Sequence, residues 1–353
     1  MIKLEVVARR FAVGSFIKRH PELEKPKDQP PHRFHRLVRE FFLKTTGGKF
    51  LNSKGEILVE GLDPLKGEED PIIINPFEGE WKLFHSKKPT WDASANLNRT
   101  IEDYQVIPES DIVTVRDRIR MMDDILRKVF LVLEGAWNTM GLHLIDLKIE
   151  FGIDPLGNLV VADVIDNDSW RLRDPNWQEL SKEAFRQGEK LTEVEQKYGI
   201  VATLVEQIRI PKQALVIWTG SDKDEPPKAP LCYGVTVVNV VLSGHKTTKA
   251  CLEKLGELIR DYPYGGVIIV KVGRSNGLGP IIASHTSWPV IAIPATLKEF
   301  PEDIWSSIRM PSSVPLLTAW PEENAIIAAQ NILAVKNPVL YMKMREQIEK
   351  LEE

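Results

Sequence analysis

The sequence is short of everything that would mark a secreted, membrane-spanning or nucleic-acid-coating chain. It has two cysteines, Cys232 and Cys251, in 353 residues, too few for a disulfide framework or a cysteine-built metal site. There is no long apolar run. The least polar stretch, Leu231–Leu242, is too short to span a bilayer and contains Asn239. Met1–Arg19 alternates apolar and basic residues without an apolar core, so it does not read as a secretory leader. Neither sign of charge dominates. Forty-six Lys and Arg stand against fifty Asp and Glu, a net charge of −4, which gives no overall attraction to nucleic acid or anionic lipid. Internal repeats and low-complexity tracts are missing as well. What remains is 43% hydrophobic and 27% charged, the balance of a globular chain with room for two cores. The expectation is a soluble protein of a reducing cytosol.

The chain changes character near residue 212. Before that point lie strand-like pieces (Leu4–Val7, Glu40–Lys44, Glu56–Glu60), Pro-rich loop around Pro26, Pro30 and Pro31, and a basic cluster at Lys18, Arg19 and His20. Glu40–Lys44 and Glu56–Glu60 read as paired strands about Gly47-Gly48 and Gly55. Val115–Thr139 carries apolar residues at helical spacing and is stopped by Gly141. Two strands follow, Leu144–Phe151 and Leu159–Ile165, joined at Asp154-Pro155-Leu156-Gly157. Beyond residue 212, short β-branched runs (Ala214–Trp218, Val235–Leu242, Gly266–Val272, Val290–Ile293) alternate with helical stretches. These are Thr248–Asp261, Gly279–His285, Ile304–Arg309, Pro321–Ala334 and a charged terminal helix. Such alternation predicts a parallel sheet covered on both faces, with its site beyond the carboxyl ends of the strands.

Three segments fall at that edge: Gly220-Ser221-Asp222-Lys223-Asp224, Ser243-Gly244-His245-Lys246, and Gly273-Arg274-Ser275-Asn276-Gly277-Leu278-Gly279-Pro280. Each alone can be a turn or tight packing. Together they offer glycine amides ahead of a helix for an anion and serine hydroxyls for an oxyanion. They also offer His245, whose ordinary pKa suits proton transfer, with Lys246 beside it to hold an anion or lower that pKa.

In the first region Asp146, Lys148 and Glu150 alternate on one strand face, with Asp163, Asp166, Asp168 and Arg171 on the segment that follows. One reading is a solvated strand face. The other is a pair of carboxylates opposed across a hairpin, which suits Mg2+.

From Gln213 onward the chain resembles the AIR (aminoimidazole ribonucleotide) carboxylase family. The resemblance lies in Ser243-x-His245-Lys246, Arg274-Ser275-Asn276-Gly277-Leu278-Gly279-Pro280 and Trp305-Ser306-Ser307-Ile308-Arg309-Met310-Pro311. The wording is that of the animal-type branch, which uses CO2 directly. The resemblance implies carboxylation of C4 of the aminoimidazole without ATP, biotin or metal. His245, Lys246, Ser275 and Asn276 would carry the chemistry, with His245 moving the C4 proton. Gly220, Ser221, Asp224, Ser243, Arg274, Gly277 and Gly279 would bind AIR and CO2. By the same resemblance Ser221, Asp224 and Ser275 would hold the ribose phosphate and hydroxyls, and the Asn276–Gly279 backbone would hold the carboxylate. The family places a helix after the first loop; here Glu225-Pro226-Pro227-Lys228-Ala229-Pro230 excludes one.

The first region resembles SAICAR synthetase, which joins aspartate to the carboxylated ribonucleotide (CAIR) through an ATP-derived acyl phosphate. The matching strings are Val7–Phe16, Asp146–Gly152 and Ala162–Leu172, with an enlarged insertion near 45–105. By that resemblance Arg9, Ser15, Asp168, Ser169, Arg171, Lys182 and Arg186 bind CAIR and aspartate. Lys148, Glu150 and Asp163 face ATP, and Glu150 and Asp163 ligate Mg2+. The family's Gly-Lys-Thr-Lys-type loop has no counterpart in the sequence, so the expected synthetase portion is one without its N-terminal ATP lobe.

The expected fold is therefore α/β overall. An ATP-grasp-like α+β portion with antiparallel strands would cover 1–210. A three-layer, Rossmann/flavodoxin-like parallel-sheet domain would cover 213–353. The expected function is a purine-biosynthesis enzyme, a lyase with a ligase module, acting on small nucleotides without nucleic-acid or membrane partners. It would assemble as a closed homo-oligomer, an octamer by resemblance. A carboxylase alone, or a non-catalytic scaffold or nucleotide sensor, are the alternatives.

Overall fold

The computed structural model describes residues 1–26, 29–51, 54–59, 70–84, 86–87, 91–92, 97–98, 107–108, 117–181 and 191–351. The chain forms two units. Unit 1 comprises Met1–Gln207 with Ile348–Glu353, and unit 2 comprises Ile208–Gln347.

Unit 1 is built on an antiparallel sheet. Its strands are β1 (Leu4–Phe11), β2 (Arg33–Leu43), β3 (Ile72–Ile73), β4 (Leu83–Phe84), β5 (His143–Ile153), β6 (Leu159–Val161) and β7 (Trp170–Arg173). Their order is β6-β5-β1-β2-β3-β4, and β7 pairs with the opening half of β5. Strand alternation divides the chemistry cleanly between the two faces. Leu4, Val6 and Ala8 of β1, with Ile145, Leu147, Ile149 and Phe151 of β5, are all buried apolar. The helix α1 (Asp117–Asn138) packs against these two strands and buries Ile119, Met122, Leu126, Phe130 and Trp137. The opposite face carries the charges, because the register sets Glu5 across from Glu150, Val7 from Lys148 and Arg9 from Asp146. On the other side of β1, Glu40 of β2 lies opposite Val7.

Two expectations are corrected here. Glu40–Lys44 does not pair with residues 56–60. Its strand runs from Arg33 to Leu43 and pairs with β1 and β3, while Ile57–Val59 pairs with Phe50–Leu51. The longer strand wins because it buries Phe41, Phe42 and Leu43, which a local hairpin would leave exposed. The second strand of the acidic hairpin stops at Val161 rather than Ile165, and residues 162–169 turn back as irregular chain towards β7. A helix absent from the sequence reading, α2 (Leu191–Val205), completes the described part of unit 1.

Unit 2 is a five-stranded parallel sheet. Its strands are β8 (Gln213–Thr219), β9 (Val235–Val241), β10 (Gly266–Val272), β11 (Val290–Pro294) and β12 (Leu316–Thr318), in the order β9-β8-β10-β11-β12. The helices α3 (Thr248–Asp261) and α4 (Leu278–Ala283) cover one face through Cys251, Leu255, Leu258 and Ile282. On the other face lie α5 (Glu322–Ala334) and α6 (Pro338–Lys350), contributing Ala325, Ala329, Leu333, Leu340 and Met344. All seven residues of β8 are buried, as a central parallel strand requires. No helix follows β8. Residues 220–234 cross to β9 as loop, and Ala229 and Cys232 pack onto the α5–α6 side. No helix among the described residues is long and apolar enough to cross a membrane.

Candidate functional site

In unit 1 the charged sheet face opens into a cavity of about 270 Å³ lined by Arg9, Ser15, Asp146, Lys148, Asp168, Ser169 and Arg171. Six positions singled out in the sequence for substrate or nucleotide thus meet in one place, with Asp146 beside them. Arg9 is buried, and its guanidinium donates to Glu40 Oε2 (2.6 Å), to Asp146 Oδ2 (2.5 Å) and to Ser15 Oγ (3.4 Å). Arg171 donates to the same Asp146 oxygen at 2.5 Å, and Arg19 reaches the second oxygen of Glu40. The charged lining of the cavity balances, with Arg9, Lys148 and Arg171 against Glu5, Asp146 and Asp168, and the planar guanidinium forks are of the kind that suits phosphate and carboxylate.

Asp168 is exposed and accepts a hydrogen bond from Tyr198 Oη of α2 at 2.6 Å. Ser169 is otherwise engaged. Its hydroxyl donates to Val164 O (2.8 Å) and closes the turn before β7 while the residue lines the cavity wall. Lys182 and Arg186 lie outside the described residues.

Glu150 and Asp163 do not come together as a metal pair. Glu150 is buried on the sheet face, and both its oxygens accept from Lys44 Nζ, at 2.6 and 2.5 Å. Asp163 is exposed beyond the end of β6, and its Oδ1 accepts the N–H of Val164 at 2.9 Å. Among the described residues no group of three or more His, Cys, Asp or Glu is placed to hold a metal ion. Glu150 as it stands is held by Lys44 and not left open for a divalent ion. Lys148 lies 3.3 Å from Glu5 and 3.5 Å from Glu150. Burial pushes its ammonium down, but the two carboxylates outweigh burial and hold its pKa above the ordinary value. Burial raises the Glu5 carboxyl against the opposing pull of Lys148.

Glu5, Arg19, Glu40, Lys44 and Tyr198 were not singled out as site residues. Glu5 and Glu40 could have been found from strand alternation once the β1 register was known. Nothing local marks Lys44 or Tyr198.

In unit 2 the adjacent strands β9, β8 and β10 deliver the three expected loops to one sheet edge. The closest packing is between the His245 and Gly277 segments. A methyl group built on Gly277 would lie 2.2 Å from His245 Nε2 and 2.4 Å from Cε1, so the imidazole rests against the glycine backbone. Gly244 meets the Leu278 backbone as closely, at 2.7 Å from a built Cβ. His245 and Lys246 are both exposed. Ser243 Oγ accepts the N–H of Lys246 (3.3 Å) and holds the turn. Ser221 does the same in its loop, accepting the N–H of Lys223 at 3.2 Å and, through its carbonyl, that of Asp224 at 3.0 Å. The closest atom to a methyl built on Gly220 is an Asp224 oxygen, at 3.9 Å.

The third loop is more self-contained than expected. Asn276 is buried; its Oδ1 accepts the N–H of Gly279 (2.8 Å) and its Nδ2 donates to Ser307 Oγ (3.0 Å). The N–H of Asn276 goes to Ser306 Oγ (3.3 Å) and that of Gly277 to Ser275 O (3.1 Å). The amides of residues 276, 277 and 279 are thus paired within the protein. Asn276 instead fixes the loop beneath His245, and Ser275 stays exposed at its rim. Arg274 is turned onto the Phe300 ring (3.8 Å) and towards Asp303 (3.5 Å). Ser306, Ser307 and Lys271 were missed as supports. Lys271 ties down the loop after β8 by donating to Glu225 O at 2.7 Å.

The fold and loops define an α/β unit with a histidine set against a glycine-rich turn, and an antiparallel unit with a cavity lined by arginine, lysine and carboxylate side chains. The AIR carboxylase family model matches residues 216–353, and the SAICAR synthetase family model matches residues 87–203. The probable multifunctional protein ADE2 of Caenorhabditis elegans is 32% identical over 98% of this chain and 73% of its own length. The bifunctional phosphoribosylaminoimidazole carboxylase/phosphoribosylaminoimidazole succinocarboxamide synthetase of Drosophila melanogaster is 31% identical over 98% of this chain and 72% of its own. A phosphoribosylaminoimidazole-succinocarboxamide synthase of Chloroflexus aurantiacus is 34% identical over 58% of the chain and 62% of its own length. The chain belongs to the family of bifunctional AIR carboxylase/SAICAR synthetase proteins of purine biosynthesis.

Proposed function

We propose that this chain carboxylates aminoimidazole ribonucleotide in unit 2 and binds the carboxylated product in unit 1, the synthetase-type half. The observation that carries the reading is the seating of the His245 imidazole on Gly277, at the edge where three loops converge. The aminoimidazole is an enamine whose C4 is nucleophilic. Its electron pair forms the bond to the carbon of CO2, and one CO2 oxygen takes the negative charge. His245 then removes the C4 proton, which restores the ring, and passes that proton to solvent. No ATP, biotin or metal is needed for that step. Ser221, Asp224 and Ser275 present side chains for the ribose and its phosphate, Lys246 supplies positive charge beside the base, and Asn276 positions the loop.

In unit 1, Arg9, Ser15 and Arg171 would take the phosphate and carboxylates of the nucleotide, and Asp168 the amine of aspartate. The second step is the ATP-dependent condensation with aspartate. A divalent ion held by Glu150 and Asp163 is not part of this reading. Cytosolic placement agrees with two unpaired cysteines. A closed homo-oligomer is expected, and light scattering at octamer mass is its check.

The test is a spectrophotometric assay of the full chain with AIR and bicarbonate and without ATP, beside His245→Asn. Turnover that disappears in the variant supports the reading. Absence of turnover in the unaltered chain, with AIR still binding in calorimetry, would replace it with a nucleotide sensor or scaffold.

A further inference from the structure

Glu150 is the most deeply placed acidic group of the charged face in unit 1, only 3% exposed. A carboxylate that far from water needs a cation beside it, because desolvation without compensation disfavours the charged form. The chain supplies that cation itself. Lys44 Nζ bridges both Glu150 oxygens at 2.6 and 2.5 Å, and Lys148 adds a longer contact at 3.5 Å while also serving Glu5. Two carboxylates and two ammoniums therefore share one face and sum to zero charge.

The Lys44 side chain is itself 46% exposed, but the chain that carries it is anchored. Its backbone N–H donates to Lys3 O at 3.1 Å, continuing the β1–β2 ladder past the end of β2. The next residue is anchored too, since the Thr45 N–H and hydroxyl both reach Asp70 Oδ1, at 2.8 and 3.3 Å. With the backbone held on both sides, the lysine stem is aimed along the sheet face at Glu150. Asp163, the other expected ligand, stays exposed and bonded to its own turn.

We propose that Lys44 is the resident counter-ion of Glu150, its ammonium filling the place assigned by resemblance to a divalent metal. Unit 1 then takes up no divalent cation at Glu150 unless Lys44 is removed. Magnesium wants several oxygens in near-ideal octahedral geometry. An ammonium bridging both Glu150 oxygens at 2.6 and 2.5 Å competes with it for the open side of that carboxylate.

The probe is Mn2+ added to the full, nucleotide-free chain and followed by the electron paramagnetic resonance of the free ion, with calorimetry alongside. This readout is independent of turnover in either unit, so it stands apart from the proposed activities. The unaltered chain and Glu150→Gln should bind Mn2+ alike, with no site that depends on Glu150. Lys44→Gln should bind Mn2+ at least about tenfold more tightly, since it strips the counter-ion from a buried carboxylate. Adding Glu150→Gln to that variant should erase the gain, and Lys44→Arg, which keeps the charge, should show none. A stoichiometric Mn2+ site in the unaltered chain that Glu150→Gln abolishes would overturn the proposal. So would a folded Lys44→Gln that gains nothing. If Lys44→Gln fails to fold, the first comparison decides by itself.

Discussion

Replacing Gly277 by alanine puts a methyl group where the His245 ring now lies. The built Cβ sits 2.2 Å from Nε2, 2.4 Å from Cε1 and 2.7 Å from Cδ2. Ordinary contact is near 3.5 Å, so the ring must retreat by about 1.3 Å. The three nearest atoms all belong to that ring. Gly277 has φ −84° and ψ −27°, which alanine adopts without strain, and His245 is exposed and free to swing outward. The fold should therefore keep its melting temperature while the proton-accepting group loses its position. Misplacing a catalytic group by about 1 Å costs on the order of 100-fold in rate, and that loss should fall on kcat for carboxylation with little change in AIR affinity. The assay is steady-state carboxylation of AIR without ATP, with thermal unfolding measured on the same preparation. Gly244→Ala is the contrast. Its methyl would meet the Leu278 backbone at 2.7 Å, which cannot rotate away, so that variant should lose stability as well as rate. A Gly277→Ala enzyme with unaltered kcat would refute the view that His245 must rest on that glycine to work.

Asp146→Asn should lower the unfolding free energy of unit 1 by about 3 kcal/mol, because a buried carboxylate shared by Arg9 and Arg171 is lost. Denaturant titration would show it, with ATP-free carboxylation by unit 2 unchanged; a shift too small to resolve would count against the arginine cluster as a buried network. His143 stacks face to face on Trp177 at 4.2 Å, and burial holds its pKa below the ordinary 6.5, with Asp174 opposing. The unfolded chain therefore binds that proton first. The His143 contribution to stability is present above about pH 6.5 and lost as pH falls through the folded value. Denaturant unfolding against pH should be less steep below 6.5 in His143→Gln, and an identical slope would assign the dependence to other groups.

The sequence by itself determined most of unit 2. The run Ala214–Trp218 is apolar at every position because a central parallel strand is covered on both faces. Prolines 226, 227 and 230 remove the backbone donors that a helix after β8 would need. The Ser243–Lys246 and Gly273–Pro280 strings could be placed at one sheet edge because parallel strands all end on the same side. In unit 1 the alternation of Asp146, Lys148 and Glu150 announced a charged face, but it could not say what lay across from it. That was decided by β1 and β2, distant in the chain, whose register sets Glu5 opposite Glu150 and Glu40 opposite Val7. Strand pairing is chosen by the apolar surface it buries, here Phe41 and Leu43 on the helix-covered face and Phe42 with Val7, Ile72 and Phe84 on the other, and not by the charges that ride beside them. Those charges then take the partners that geometry leaves within reach, so Glu150 meets an ammonium from the end of β2. Asp163 is left in solvent because its strand ends two residues too soon.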